Sequence, residues 1–319
     1  MIEITSPSRL HLSLIDLNAS LGRVDGGVGV SLQYPHIHLT AEKSDQVEIT
    51  GSSLLYDKVQ AAISALLPEG EGISIYLDED MPAHVGLGSG TQVALCTAAA
   101  INELFELGLS VRHLAQKVGR GGTSGIGVAA FEEGGFLVDC GHRFSDKGAF
   151  SPSSASPAPP APVVFRHDFP DWPIVLALPD RQGAHDAQEV DIFRQVCPVP
   201  LEDVQTISHI VLMQMIPAVI EKDIENFGSA LDSLQTLGFK KQEISLQSQQ
   251  VQDVIEQMRM AGTHGVGMSS FGPAICGFVE NEIQGKRIVR EMQKFLDENI
   301  GGKVLLTTPN NTGADIRMD

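Results

Sequence analysis

The chain has 319 residues, which is enough for two ordinary domains or one large one. Hydrophobic residues make up 42% and charged residues 19%, as is typical of a folded globular protein and not of a disordered one. The formal net charge of −18 argues against nucleic acid or an anionic membrane as a partner, because both select basic surfaces.

The first half of the chain is predicted to contain strands followed by helices. Alternating apolar and polar residues indicate strands, and longer apolar or amphipathic runs indicate helices. The predicted strands are 2–5, 9–16, 36–41, 47–50, 73–77 and 135–139. The predicted helices are 54–67, 91–107 and 111–118, the last with Ser110 as its N-cap.

Polar residues near the N-terminus are candidates for binding an anion. Arg9 and His11 should project from the same strand face, and a guanidinium beside an imidazole suits phosphate or carboxylate. Arg23, Asp25 and Gly26 follow in a flexible turn, where Asp25 could hold Mg²⁺, accept a proton or simply cap the turn. The alternative is that Arg9 and His11 lie in solvent on an edge strand.

A glycine-rich run at 82–92 leads directly into the apolar helix 91–107. Glycines let the backbone approach a ligand closely, and the free N–H groups at a helix start attract an anion. A phosphate is therefore the expected ligand, although the run could also be a turn that merely caps a buried helix. The predicted ligand-binding positions are Gly86, Leu87, Gly88, Ser89, Gly90, Thr91 and Gln92.

The segment 145–162 is rich in Ser, Ala and Pro, which predicts a mobile connection between two domains, 1–162 and 163–319. Pro217 should bend or break a helix in the second domain. Strands on both sides of helices, without strict alternation, predict an α+β fold. The predicted strands here are 174–178, 272–279 and 303–307, and the predicted helices are 186–196, 201–221, 223–236, 245–260 and 284–298.

Cysteine usage and the termini bear on the compartment. The four cysteines form no Cys-x-x-Cys pair, which argues against a zinc site and predicts reduced thiols in a cytoplasmic protein. No apolar run reaches the roughly 18–20 residues that span a bilayer, and no signal-peptide pattern opens the chain. We therefore expect a cytoplasmic protein with no membrane partner.

Three motifs resemble those of the GHMP kinase superfamily. The run 82–92 resembles its Pro-x-x-x-Gly-Leu-Gly-Ser-Ser-Ala phosphate loop, and the segments 6–12 and 262–274 lie where its other motifs fall. The resemblance implies two domains, an N-terminal ribosomal-S5-domain-2-like domain and a C-terminal ferredoxin-like α/β sandwich. It also implies that Ser269 and Ser270 belong to a loop that lines the active site. One interpretation is thus an ATP-dependent small-molecule kinase.

A second glycine-rich loop at 120–127 departs from the kinase pattern. The matching segment of mevalonate-type members resembles Pro-Ser-Gly-Ile-Asp, whose Asp is the usual catalytic base. Gly127 stands at that position here, and Arg9 stands where a lysine often accompanies the Asp. Neither residue can act as a general base. Because homoserine kinases also lack that Asp, the kinase interpretation is weakened but not excluded, and a non-catalytic ligand-binding protein is a third interpretation.

One branch of the superfamily fits these departures. The segments 6–12, 22–27, 121–132 and 138–142 resemble the β-ribofuranosylaminobenzene 5′-phosphate synthases. That resemblance implies a glycosyltransferase of methanopterin biosynthesis. Such an enzyme joins phosphoribosyl pyrophosphate to 4-aminobenzoate or 4-hydroxybenzoate and releases pyrophosphate and CO₂. We expect small-molecule substrates, Mg²⁺, no organic cofactor and a homodimer.

The candidate residues suit that reaction. The departing pyrophosphate needs positive charge, which the loop 86–92, Arg9, Arg23 and Mg²⁺ could supply. The catalytic candidates are Arg9, His11, Asp25 and His142, with His185 as another candidate for proton transfer. The remaining substrate-binding candidates are Arg23, Gly26, Thr123, Ser124, Ser269 and Ser270, and Arg143 either binds the 5′-phosphate or is solvated.

Overall fold

Two long strands dominate the first half of the structure, a computed structural model that describes residues 1–51, 55–79, 81–156, 158–181, 183 and 187–318. The strands β1 (Ile2–Asp16) and β2 (Arg23–Ser44) pair antiparallel along most of their length. The predicted strands 2–5 and 9–16 are therefore one strand. A register shift between Pro7 and Ser8 leaves residues 33–35 of β2 without partners on β1, and this bulge contains Pro35, which has no N–H to donate to the ladder.

Shorter strands complete this eight-stranded sheet. They are β3 (Glu48–Gly51), β4 (Gly72–Glu79), β5 (Phe136–Asp139), β6 (His142–Arg143), β7 (Val163–His167) and β12 (Asp315–Met318). The main order is β12-β1-β2-β4-β3, with β5 and β6 paired to β2 and β7 paired to β5. Because β7 and β12 come from beyond residue 162, segments of both predicted domains build this sheet.

The helices of the first half pack on this sheet. They are α1 (Tyr56–Leu66), α2 (Ser89–Leu104), α3 (Val111–Lys117), α4 (Ile126–Glu132) and α5 (Phe144–Lys147). Most of α2 is buried because it packs against β1, β2 and α1, as its apolar sequence predicts. The Ser110 hydroxyl accepts a hydrogen bond from His113 N, which confirms the predicted cap. The helix α4 was not predicted, because the preceding glycines indicated a loop.

The second half is built around a four-stranded antiparallel sheet with the order β11-β8-β10-β9. Its strands are β8 (Ile174–Pro179), β9 (His264–Met268), β10 (Ile275–Phe278) and β11 (Gly302–Thr307). Side chains alternate along β8, so that Leu176 joins the large core shared with the first sheet. Val175 and Ala177 face a second core instead. Helices thus cover both faces, and the α+β class is confirmed.

The helices of the second half are α6 (Ala187–Val196), α7 (Leu201–Ile210), α8 (Ile216–Glu221), α9 (Ile224–Leu234), α10 (Gly238–Ser245), α11 (Gln249–Met260) and α12 (Glu282–Asn299). The helices α11 and α12 form the second core with the sheet. The helix α9 packs against β9.

A wide π-helical turn, Val211–Met215, joins α7 to α8 just before Pro217. Pro217 cannot donate a backbone hydrogen bond and its ring would clash with the preceding turn, so the predicted break takes this form. The segment Leu201–Glu221 is long and apolar enough, by length and composition only, to cross a membrane, and 33% of it is buried inside the protein. The sequence did not predict a membrane span there, because polar residues interrupt the apolar run. The buried side chains of Ile207, Val211 and Met215 belong to the large core.

Asn281 caps the longest helix of the second half, α12, through its side-chain oxygen, which accepts a hydrogen bond from Gln284 N at 3.0 Å. Replacing Asn281 by alanine leaves that N–H without its acceptor. We expect Asn281→Ala to lower the free energy of unfolding by about 1 kcal/mol. Asn281→Asp keeps an acceptor and should stay close to the wild type. Urea unfolding measures both variants, and equal losses in the two would contradict the cap.

Candidate functional site

A cavity of about 240 Å³ opens where the two halves of the chain meet. Its walls come from β1, the glycine-rich run before α2, the loop 120–125, helix α6 and the turn between β9 and β10. The structure brings ten of the predicted site residues together here. They are Arg9, His11, Gly86, Gly88, Ser89, Gly90, Thr91, Thr123, Ser124 and Ser270.

The glycine-rich run forms the floor of this cavity at the N-terminus of α2. Gly88 is the N-cap of α2 with a φ of +86°, and Gly86 has a φ of +92°. A Cβ on Gly86 would lie 2.2 Å from Ser269 O, so only glycine fits. The first amides of α2 have no carbonyl a turn earlier to bond with, and they carry the positive end of the helix dipole. The structure therefore contains the predicted glycine-rich turn at a helix start, and anion binding there stays a prediction.

Three cationic side chains surround this helix start. A Cβ on Gly88 would lie 3.3 Å from Arg9 Cζ. A Cβ on Gly90 would lie 3.7 Å from Arg120 Nη2 and 4.0 Å from Lys58 Cε. Lys58 Nζ also pairs with Asp57 Oδ2 at 2.8 Å, and Glu189 and Glu243 line the same cavity, so the positive charge is concentrated at the helix start. Arg120, the first residue of the second glycine-rich loop, was not among the predicted site residues, and neither was Lys58, which belongs to no motif.

Arg9 and His11 lie side by side on β1, as their spacing predicted. Arg9 Nη1 donates to Gly86 O, whereas Arg9 Nε and His11 Nε2 are buried with no hydrogen-bond partner among the described residues. Burial lowers the pKa of Arg9 to about 10, so it stays charged at neutral pH. Burial and the nearby cations Arg9 and Lys240 lower the pKa of His11 well below its usual 6.5. His11 is therefore a neutral imidazole beside a guanidinium.

The turn between β9 and β10 locks onto the glycine run. Ser269 Oγ donates to Gly86 O at 2.7 Å and accepts from His11 N at 2.9 Å. Ser269 is fully buried and positions both elements without lining the cavity, whereas Ser270, with a φ of +51°, does line it. Lys240 Nζ donates to Ser270 O at 2.9 Å. Hydrogen bonds from Ser269 and Lys240 thus fix the turn between β9 and β10, which the resemblance predicts to line the active site.

Asp25 and His142 form a buried ionic cluster with Lys147. His142 Nδ1 lies 2.7 Å from Asp25 Oδ2, and Lys147 Nζ donates to both carboxylate oxygens at 2.8 Å. Lys147 also donates to Thr123 Oγ1 at 3.0 Å and to Ser151 O at 2.8 Å. The side chains of Asp25 and Lys147 are 0% exposed, and Thr123 is the one hydrogen-bond partner of this cluster, among the residues that the structure describes, that lines the cavity. This placement favours positioning of Thr123 over direct contact with substrate.

The other predicted residues lie beside the cavity without lining it. Arg23 donates to Cys140 O at 3.0 Å and to Gly141 O at 2.8 Å, so its guanidinium holds a turn. Gln92 is buried and donates to Gly127 O at 2.8 Å. The remaining predicted residues outside the lining are Gly26, Leu87 and the exposed Arg143, and His185 lies outside the described residues.

The Pro-rich segment 145–162 packs back onto this site. Pro152 and Ser153 line the cavity. Thr123 N donates to Ser153 Oγ at 3.1 Å, and Thr123 Oγ1 donates to Ser151 O at 2.6 Å. The mobility of the segment 145–162 stays a prediction. Its contribution to the cavity wall was not predicted. Composition alone cannot show that a loop returns to the protein surface.

Carboxylates are few around the cavity. Glu189 and Glu243 line it, and Glu243 pairs with Lys240. Within the described ranges, no group of three or more His, Cys, Asp or Glu side chains is placed to hold a metal ion.

Comparison with known proteins places the chain among close relatives. Residues 55–135 match the GHMP kinases N terminal domain, and residues 215–298 match the GHMP kinases C terminal domain. A beta-ribofuranosylphenol 5′-phosphate synthase of Archaeoglobus fulgidus is 42% identical over 100% of both chains. That of Methanothermobacter thermautotrophicus is 43% identical over 98% of this chain and 97% of its own. The solved structure of L. major mevalonate kinase in complex with R-mevalonate has a TM-score of 0.71 at 13% identity, covering 97% of this chain and 96% of that one.

Proposed function

The chain belongs to the beta-ribofuranosylphenol 5′-phosphate synthase family of the GHMP kinase superfamily, and from this we propose that it is a pentosyltransferase of methanopterin biosynthesis. It joins the 5-phosphoribosyl group of phosphoribosyl pyrophosphate to the ring of a para-substituted benzoate and releases pyrophosphate and CO₂. The full-length identity of 42% to the Archaeoglobus synthase carries this proposal.

The charges around the cavity support the proposed reaction. Loss of pyrophosphate leaves a positive ribosyl centre and a leaving group of high negative charge. The helix start at Gly88 and the side chains of Arg9, Lys58 and Arg120 are placed to stabilise that departing charge. Preorganised electrostatic stabilisation of this kind often contributes more to catalysis than any other single effect.

The relatives' name favours one acceptor of the two that the sequence left open. Their product is a ribofuranosylphenol, so its ring carries a hydroxyl group and not an amino group. We therefore propose 4-hydroxybenzoate as the acceptor. The ring carbon that bears the carboxylate attacks the sugar, and loss of CO₂ then restores the aromatic ring. Arg9 is placed to bind the carboxylate or a phosphate, and the neutral His11 adds a hydrogen bond without a second full charge.

The kinase interpretation is not favoured. Gly127 lines the cavity and has no side chain that could accept a proton. The matching segment of mevalonate-type kinases resembles Pro-Ser-Gly-Ile-Asp, in which an Asp stands at this position. The likeness to L. major mevalonate kinase, at 13% identity, concerns the fold alone.

The decisive test is the reaction itself. Purified protein incubated with phosphoribosyl pyrophosphate, Mg²⁺ and carboxyl-labelled 4-hydroxybenzoate should release labelled CO₂ and pyrophosphate in equal amounts. ATP in place of phosphoribosyl pyrophosphate should give no product. ATP-dependent phosphorylation of an alcohol, with no CO₂ release in the first assay, would overturn the proposal.

Lys58 and Arg120 should bind the diphosphate of phosphoribosyl pyrophosphate and not the benzoate. Each contributes a positive charge beside Gly90 at the helix start. We expect Lys58→Ala and Arg120→Ala each to raise KM for phosphoribosyl pyrophosphate about tenfold, since a charge-assisted hydrogen bond contributes about 1.5–3 kcal/mol. KM for the benzoate should change far less. Lys117→Ala, at an exposed lysine of α3, is the matched control, and an equal effect there would contradict the assignment.

We also propose Mg²⁺, a cytoplasmic homodimer, and no nucleic-acid or membrane partner. Mg²⁺ would supply charge neutralisation to the diphosphate, and the oxygen-ligand carboxylate of Glu189 lines the same cavity. Exposed Leu212, Met213 and Ile220 lie on one helical segment, an apolar surface suited to a second copy of the chain. The four free cysteines support a cytoplasmic location. The net charge of −18 argues against a nucleic-acid or membrane partner.

A further inference from the structure

A buried carboxylate that the reaction scheme above does not use lies directly behind the cavity wall. Asp139 is 0% exposed at the end of β5. Its Oδ2 accepts from Ser124 Oγ at 3.2 Å and from Gly125 N at 3.0 Å, and its Oδ1 accepts from Gly141 N at 2.9 Å. Ser124 lines the cavity. One hydroxyl group therefore connects Asp139 to whatever occupies the cavity.

Gly27 on β2 makes this arrangement possible. A Cβ at Gly27 would lie 2.7 Å from Ser124 Oγ, 2.9 Å from Asp139 Oδ2 and 3.1 Å from His11 Nε2. Three polar side-chain atoms thus converge on one point that only a glycine leaves open. Two of these residues, Ser124 and His11, line the cavity.

We propose that Ser124 and Asp139 form the proton relay that accepts the phenol proton of the acceptor during carbon–carbon bond formation and returns it when CO₂ leaves. This inference rests on the proposed function. As the ring carbon bonds to the sugar and the bond to pyrophosphate breaks, the phenol O–H proton passes to Ser124 Oγ, and the hydroxyl proton of Ser124 passes to Asp139. When the carbon–carboxylate bond breaks, its electron pair restores the aromatic ring, and the phenolate oxygen takes the proton back. No net proton is gained or lost.

The surrounding charges favour Asp139 over the other candidate bases. Burial raises the pKa of Asp139 to about 6, which brings its basicity towards neutral pH. The groups that face it are Asp25, which raises this pKa further, with its partners Lys147 and His142, and His11 from β1. His11 is a poor base because its pKa is well below 6.5.

The test compares two acceptors of different phenol acidity. Ring fluorination also lowers the nucleophilicity of the attacking carbon, but this effect is the same in every variant and cancels when each variant's ratio is compared with that of the wild type. 4-Hydroxybenzoate needs a base, whereas a ring-fluorinated 4-hydroxybenzoate that is ionised at neutral pH does not. We expect Ser124→Ala and Asp139→Asn to lower the ratio of kcat/KM for 4-hydroxybenzoate to that for the fluorinated acceptor at least tenfold. Ser124→Thr keeps the hydroxyl group and should restore the ratio. The wild-type kcat/KM for 4-hydroxybenzoate should fall below about pH 6, and Asp139→Asn should remove that limb.

Several results would overturn the relay. Equal losses on both acceptors would show that Ser124 and Asp139 only support the fold, and no loss on either would show that the proton goes elsewhere. A fall in the ratio in Glu189→Gln, with none in Ser124→Ala, would assign the base to Glu189, which lines the cavity itself. If the wild type releases CO₂ from neither acceptor, the proposed function itself fails.

Discussion

Replacing Arg9 by alanine is expected to lower kcat/KM for CO₂ release by about a hundred- to a thousandfold. Arg9 is buried beside the helix start, and its Nε has no hydrogen-bond partner among the described residues, so it is placed to bind a ligand. Removing one preorganised donor to a developing negative charge costs about this much in other enzymes. Steady-state assays that vary phosphoribosyl pyrophosphate and the benzoate separately will show which substrate depends on Arg9.

Two further variants make this prediction specific. Arg9→Lys keeps the positive charge but loses the planar fork of donors, so it should recover only part of the activity. Arg143→Ala removes an exposed arginine outside the cavity and should leave kcat/KM within about twofold of the wild type. Similar losses in Arg9→Ala and Arg143→Ala would mean that net charge, and not a defined site, governs the reaction.

Lys147→Met should destabilise the fold by about 3–5 kcal/mol, because it leaves the buried carboxylate of Asp25 without its cation. Lys147 Nζ donates to both oxygens of Asp25, and both side chains are 0% exposed. The same variant removes the hydrogen bond from Lys147 to Thr123 in the cavity wall, so activity should fall as well. Urea unfolding measures the free-energy change.

A double variant separates a buried charge from a packing defect. Asp25→Asn combined with Lys147→Met removes both charges, and it should recover at least half of the lost stability because neither partner remains as an isolated ion. Asparagine suits this position, since Asp25 has a φ of +74°, a conformation that Asn tolerates better than most residues. A double variant less stable than Lys147→Met alone would contradict an ion-pair role.

Much of the fold could be predicted from local patterns. The alternation around Arg9 and His11 predicted a strand with both side chains on one face, and both line the cavity. The Ser110 cap and the helix after the glycine run also follow from neighbouring residues alone. The helix α4 was not predicted, because the glycines at its start indicate a loop. Packing against the rest of the protein stabilises this helix, and the glycines do not indicate that packing.

The α+β class, the family and the glycine-rich turn before α2 could all be inferred from the chain alone, because each is recorded in short sequence patterns. Apart from Arg9, which charged residues line the cavity could not be inferred in this way and required the folded structure. In the folded structure Arg23 and Asp25 bond to other parts of the protein and do not line the cavity. Lys58 and Arg120, which come from elements far apart in sequence, both lie beside Gly90. The positions of these side chains depend on contacts between segments far apart in sequence. A charged side chain that finds a buried partner in the protein is held there, and one that finds none remains available to a ligand.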